Sequence, residues 1–306
     1  MSFSSEIKQE LSGQTGKSRH CQMAELAAII SHAARIVPAA DASDKMRLIL
    51  DTENDILKKK YADLIGRLFD LDGTDGRLEG EAMLRVLEGI KVWNQREHCF
   101  HDITVVDGLL VQQTCCKRAF IRGAFLASGS MSDPSKGYHL EVVCRTLPQA
   151  RQLQDIMNDF EVDAKIVERK KHQVIYIKEG EHIVDLLNVM EAHVALMNLE
   201  NVRIMKEMRN DVNRKVNCET ANITKTVSAA VRQREDIQWI RDNMGLESLP
   251  EHLQEIALLR LQYPEAPLKE LGTYLDPPVG KSGVNHRLRR ISEIVETMRQ
   301  KGSEYP

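Results

Sequence analysis

Apolar positions are densest at residues 118–133, RAFIRGAFLASGSMSD, where Ala119, Phe120, Ile121, Gly123, Ala124, Phe125, Leu126 and Ala127 crowd together before Ser128-Gly129-Ser130. A helix apolar on most sides predicts burial, and Ser-Gly-Ser is a stop signal. Gly123 and Ala127 fall one turn apart, a spacing that lets a second helix backbone come close. Gly within a helix costs about 1 kcal/mol relative to Ala, so close packing accounts for it. Residues 24–35, AELAAIISHAAR, repeat the pattern with Ala24 and Ala28. A helix is predicted there over about 20–36, ending before Pro38.

The repetition extends outward. A strand over 45–52 (KMRLILDT) corresponds to one over 138–146 (YHLEVVCRT), and a helical pattern follows each. Ala28 pairs with Gly123 at an offset of 95 residues and Thr52 with Thr146 at 94. Two copies predict a pseudo-twofold domain and not a solenoid, with the small-residue helices meeting at the pseudo-dyad. Further helices are predicted at 4–12, 54–70, 147–160 with Pro148 in its first turn, and 180–190. Asp72–Gly76 is a turn cluster. A hairpin is predicted from Val162–Val167 and Gln173–Ile177, its tip being Arg169-Lys170-Lys171-His172. That tip is either a solvated turn or a set of phosphate contacts.

Beyond residue 200 the character changes. Arg203, Lys206, Arg209, Arg214 and Lys215 face only Glu207 and Asp211, which describes a basic helical bridge; Arg209, Arg214 and Lys215 are candidate phosphate contacts. NCETAN follows at 217–222, then a helical run from about Lys225 to Asp242. Helices are predicted over 250–262, with Leu253, Ile256, Ala257 and Leu261 inward, over 267–275, and over 282–298. In the last, Val284, Leu288, Ile291 and Val295 recur at core spacing. The opposite face carries Ser282, His286, Arg289 and Arg290, with Lys281, Asn285 and Arg287 beside them. Helix, short helix, turn and polar-basic helix are the parts of a helix-turn-helix, whose last element enters the major groove. Arg pairs bidentately with guanine and Asn with adenine, and Ser282 at the helix N-terminus suits a phosphate. The turn, Asp276–Gly280, is longer than the compact version. The alternative is a solvated helix on a three-helix core.

Composition bounds these readings. The 306 residues have room for about two domains, drawn as 1–200, a linker at 201–222, and 223–306. Apolar content of 42% and charged content of 28% belong to a soluble globular protein. Net charge is −3, so a nucleic-acid partner must be met by a local patch. Basic and acidic residues number 25 and 30 up to residue 200 and 17 and 15 after it, an asymmetry that favours the C-terminal part as the DNA face. No apolar run approaches the ~18 residues of a membrane span, and MSFSSEIKQEL has no signal-peptide core, so a cytoplasmic protein is expected; nucleoid association goes with the DNA-binding reading.

The six cysteines, Cys21, Cys99, Cys115, Cys116, Cys144 and Cys218, form no CxxC and are expected as reduced thiols. His98-Cys99-Phe100-His101 lacks the second half of a zinc site. Cys115-Cys116 is taken as a pair of small apolar side chains opening the central helix. Neither a metal nor a cofactor is expected.

RGAFLASGS at 122–130 resembles a degenerate LAGLIDADG helix of homing endonucleases. The resemblance implies a duplicated αββαββα domain whose curved antiparallel sheet lies over duplex DNA, with a metal-binding acid at the end of each central helix. Those positions fall on Ser128 and about Ala33, neither of which ligates a divalent cation; Asp133, five residues past Ser128, is the candidate substitute acid, and Asp before Pro is more usually a turn residue. Together with NCETAN, Lys225-Thr226 and LGTYLDPPVGKSGVNHRLRR at 271–290, nearly the whole chain resembles the WhiA family of bacterial proteins. That resemblance implies an α+β protein: a LAGLIDADG-like domain followed by an all-α helix-turn-helix similar to sigma-factor region 4. It further implies a non-enzymatic transcriptional regulator that binds double-stranded DNA, connected with cell division, chromosome segregation and, in spore formers, sporulation, with RNA polymerase, a sigma factor or another regulator as a further partner. A surviving metal-dependent endonuclease and a protein-docking platform are the competing readings.

Overall fold

The computed structural model describes residues 2–38, 46–94, 96 and 99–302. They divide into two compact units, Met1–Lys206 and Glu207–Pro306.

The first unit opens with α1 (Phe3–Gly13), which buries Ile7 and Leu11 and is capped by the Ser2 hydroxyl. Next come α2 (Arg19–Ala33), β1 (Ala34–Pro38), β2 (Met46–Leu50), α3 (Asp55–Phe69), β3 (Arg77–Glu79), α4 (Gly80–Gly89), and a two-residue ribbon of β4 (Trp93–Asn94) and β5 (Cys99–Phe100). The second copy is α5 (Thr114–Ser128), β6 (Gly129–Met131), β7 (Leu140–Cys144), α6 (Leu147–Asn158), β8 (Lys165–Arg169), β9 (His172–Ile177) and α7 (Gly180–Met190). α8 (His193–Asn243) follows after Glu191 turns the chain through the left-handed region at φ 68°.

Most predicted elements are present, with shifted ends. The first small-residue helix stops at Ala33 and not near 36, because Ile36 and Val37 favour extended backbone; Ala34–Pro38 instead pairs antiparallel with Met46–Leu50. Lys45, the expected start of that second strand, lies outside the described residues. α3 is capped by the Asn54 side chain and closed by Asp70 at φ 56°. Thr146 caps α6, where Pro148 takes the first turn that needs no amide donor. The hairpin strand begins at Lys165, since Val162 and Ala164 are already buried in the preceding loop.

The second copy is a complete αββαββα unit, with a four-stranded antiparallel sheet in the order β6-β7-β9-β8. The first copy has three strands, β1-β2-β3. β1, β2 and β3 match β6, β7 and β9, and no described strand corresponds to β8. The sequence explains the difference: Phe69 to Gly80 leaves room for a turn and one short strand, whereas Asn158 to Gly180 accommodates a hairpin.

α2 and α5 pack against each other along the pseudo-dyad. Ala24, Ala28, Ala119 and Ala124 are all buried, and a Cβ placed on Gly123 would lie 2.9 Å from Ala28 Cβ. Beside this seam is a buried ionic network. Arg122, 2% exposed, donates through Nε and Nη2 to the two carboxylate oxygens of fully buried Glu25 (3.2 and 3.1 Å) and through Nη1 to Glu191 (2.9 Å). Lys60 Nζ lies 3.2 Å from Glu25 Oε1 and also donates to the Thr15 hydroxyl and the Gln14 carbonyl. Two cations and two carboxylates balance, which is what lets charges persist in this interior.

In the second unit, the C-terminal part of α8 joins α9 (Glu251–Gln262), α10 (Leu268–Thr273) and α11 (Lys281–Gly302). Ile237, Ile240, Leu253, Ile256, Ala257, Leu271, Val284, Leu288, Ile291 and Val295 form its core. α8 runs unbroken for 51 residues, so the basic bridge, NCETAN and the helical run from Lys225 form one continuous helix. No Gly or Pro interrupts 193–243, and Asn and Thr disfavour a helix only weakly. Thr224 and Thr226 donate back to the carbonyls of Thr220 and Asn222, within the helix.

Candidate nucleic-acid interface

Two close approaches shape the helix-turn-helix. The turn between α10 and α11 returns so tightly that the Val279 carbonyl oxygen would sit 1.9 Å from any Cβ on Gly272, and Val279 N donates to Gly272 O at 2.9 Å. On the other side, Val279 Cγ1 occupies the space where a Gly283 side chain would begin. The lengthened, proline-containing turn therefore docks by inserting one residue between two glycines. It is the reason the sequence needs LG at 271–272 and SG at 282–283.

α11 then divides by face. Val284, Leu288, Ile291 and Val295 are buried, while Lys281, Ser282, Asn285, His286, Arg289 and Arg290 are exposed. Arg287 is placed sideways: its Nη1 reaches the His252 carbonyl at 3.3 Å and Glu255 at 3.9 Å on α9. Arg289 and Arg290 both meet Glu293, at 3.3 and 3.0 Å, and these cations hold the Glu293 carboxyl below its usual range. Ser292 Oγ donates to buried Asp236 at 2.6 Å, which fastens α11 to the end of α8. The N-terminal residues Lys281 and Asn285 line a cleft of about 940 Å³ together with Lys225 and Arg234 of α8 and Arg260 of α9.

Arg260 was not singled out by sequence pattern, which put Leu261 inward. The structure buries Arg260 to 2% exposure, its Nη1 donating to the Ala266 carbonyl at 2.8 Å, and leaves Leu261 half-buried. An Arg beside a run of leucines gives no periodic signal; its role depends on the loop at 263–267, whose carbonyls it gathers.

The other candidate contacts are dispersed. Lys170 and Lys171 form the exposed hairpin tip, with Lys170 at φ 51°. Arg169 is held by Glu141 at 3.1 Å. Arg209, Arg214 and Lys215 are exposed on α8, Arg214 paired with Asp211 at 3.1 Å.

Ala33 and Ser128 stand at the C-terminal ends of α2 and α5, as the repeat required. Ser128 Oγ points back toward the Ala124 carbonyl at 3.5 Å. Asp133 accepts from Ser135 N at 2.8 Å, an Asx turn, and the Ser135 hydrogen bonds hold its carboxyl below the ordinary range. Of the HCFH cluster, His98 lies outside the described residues and Cys99-Phe100 forms β5. At the opposite ends of α2 and α5 the structure gathers residues that sequence reading kept apart: His20, Cys21, Cys115 and Cys116. They are the one group of three or more potential metal ligands among the described residues.

Residues 117–209 match the family model described as the WhiA LAGLIDADG-like domain, and residues 212–295 that of the WhiA C-terminal HTH domain. A probable cell division protein WhiA of Lachnoclostridium phytofermentans is 49% identical over 316 residues, covering 98% of this chain and 100% of the relative. Its counterpart in Alkaliphilus oremlandii is 47% identical, covering 98% of each. The crystal structure of full-length DUF199/WhiA from Thermatoga maritima, 25% identical, superposes over 97% of this chain and 99% of that one with a TM-score of 0.54.

Proposed function

The chain belongs to the WhiA family, and from that premise we propose that it is a non-enzymatic, DNA-binding regulator of cell division whose sequence preference resides in α11. One observation carries the reading. α11 buries one face in a helical core and leaves Lys281, Ser282, Asn285, His286, Arg289 and Arg290 exposed near its N-terminal end, the end that a helix-turn-helix inserts into the major groove. Arg289 and Asn285 are the base readers; Lys281 and Ser282 hold phosphate. Lys170, Lys171, Arg209 and Lys215 add sequence-independent backbone contacts. Regulation is of transcription, in the nucleoid, extending to chromosome segregation and, in spore formers, sporulation, and involving RNA polymerase or another regulator as the family resemblance implies. The relatives' name, probable cell division protein, supports the process.

Ala33 and Ser128 at the two helix ends support the absence of nuclease chemistry, since hard cations there require carboxylate oxygen. The test is binding of the full chain to pooled genomic fragments across a salt series, with cleavage products sought in magnesium. Enrichment of defined sites without cut ends is expected. Cut ends in magnesium would overturn the non-enzymatic assignment, and loss of enrichment at every salt concentration would remove sequence-specific DNA binding.

A further inference from the structure

We propose that His20, Cys21, Cys115 and Cys116 form a structural zinc site that clamps the N-terminal ends of the two dyad helices. The donor atoms of all four residues lie within 4.8 Å of one another. His20 Nδ1 is 3.1 Å from Cys116 Sγ and 3.4 Å from Cys21 Sγ. Tetrahedral zinc with Zn–S near 2.3 Å needs donors about 3.5–3.8 Å apart, so the four atoms reach that geometry by side-chain adjustment of about 1 Å or less. Three thiolates and one imidazole form a soft donor set typical of structural zinc, and four protein ligands leave no open position for a substrate.

The sequence carries an independent indication. His20 precedes Cys115 by 95 residues, and Cys21 precedes Cys116 by the same 95, the offset that relates Ala28 to Gly123. The pair from each copy therefore occupies the same place on its helix, and the pseudo-dyad brings the two pairs together. Beneath them Cys21, Cys116, Ala24 and Ala119 form a small buried cluster of their own, again two pairs at that offset.

The electrostatics fit a cation that binds thiolates. Neither α2 nor α5 has an acidic residue in its first turn or a side-chain cap at its start, so the positive ends of two 15-residue helices converge on the sulfurs. Zinc displaces the thiol protons, one from each cysteine it binds, and leaves the sulfurs as ligands. His20 and Cys115 are exposed, which gives the metal a path in from solvent. Bound, it joins points nearly a hundred residues apart in the chain.

The experiment uses the full chain, purified reduced, with zinc content measured by mass spectrometry and cobalt(II) as a spectroscopic substitute. About one metal per chain is expected, with tetrahedral d–d absorption, a thiolate-to-cobalt charge-transfer band, and displacement by zinc. Cys115→Ser, at an exposed position, should weaken zinc binding by about 100-fold or more; Cys99→Ser and Cys218→Ser should leave the spectrum unchanged. Failure of the reduced chain to bind either metal, an octahedral cobalt spectrum, or loss of the band in Cys218→Ser would each overturn the site. So would a Cys21–Cys116 disulfide that persists in zinc-replete, reduced protein.

Discussion

The main-chain oxygen of Glu25 lies 2.5 Å from the point where a side chain on Gly123 would begin. At that distance the backbone of one dyad helix occupies the place of a methyl group on the other. Gly123→Ala gains about 1 kcal/mol of helix propensity and forces the seam apart. A net loss of about 1–3 kcal/mol is expected, read as a lower urea midpoint; an unchanged midpoint would show that the helices separate freely.

The same Glu25 carries a charge that its surroundings must balance. Glu25→Gln leaves Arg122 and Lys60 without their shared carboxylate, and a loss of about 3–5 kcal/mol follows from stranding buried cations. Lys60 already sits below its ordinary value through burial, an effect that the Glu25 charge opposes. Replacing Lys60 with Met in the Glu25→Gln background should therefore recover part of the loss. A thermal-melt series of the two single variants and the double variant measures the coupling.

His32 gives the first unit a pH dependence. It is buried and hydrogen-bonded through Nδ1 to the Ala28 carbonyl at 3.0 Å, and burial lowers it from 6.5 to about 4, with Arg145 adding repulsion. Between those values the unfolded chain holds more protons than the folded one, so stability rises with pH. The contribution is complete above 6.5 and declines as pH falls toward 4, by about 3 kcal/mol in all. Denaturation of wild type and His32→Asn across this range should show a shallower slope in the variant, since the carboxylates titrate alike in both.

On the DNA face, Arg289→Ala should weaken specific binding by about 1–3 kcal/mol and relax preference at one base pair. Lys281→Ala should weaken all sequences alike and reduce the salt slope by about one. Glu293→Gln has the opposite sign: freeing Arg289 and Arg290 from a surface carboxylate modestly strengthens binding. Fluorescence anisotropy on one enriched site and one scrambled site separates the three. Parallel losses on both sites for Arg289→Ala would remove it as a base reader.

Periodicity exposed the features that repeat within one element. The small-residue seam and the core stripe of α11 were legible because each recurs at helical spacing. The offset of 95 located the duplicated helices and, applied to His20-Cys21 and Cys115-Cys116, was also sufficient to bring those pairs together; read alone, Cys115-Cys116 gave only two small apolar side chains at a helix start. Arg122 and Glu25 were invisible because charged residues on an apolar helix have meaning only when a third element, here Lys60 on α3, meets them. Arg260 was hidden for a similar reason, its partners being carbonyls. The full length of α8 was not legible, since polar NCETAN carries no core periodicity, yet a helix continues through polar residues where no glycine, proline or competing tertiary contact supplies an alternative.

The three-stranded first sheet means that the two arms of the duplicated domain are not equivalent as tools. A gene duplication supplies two identical grips, and a palindromic target rewards keeping them so. Here the two helices of the axle pack in close contact, while among the described residues only one grip carries an outer strand. Whatever that surface holds, it is under no obligation to be symmetric.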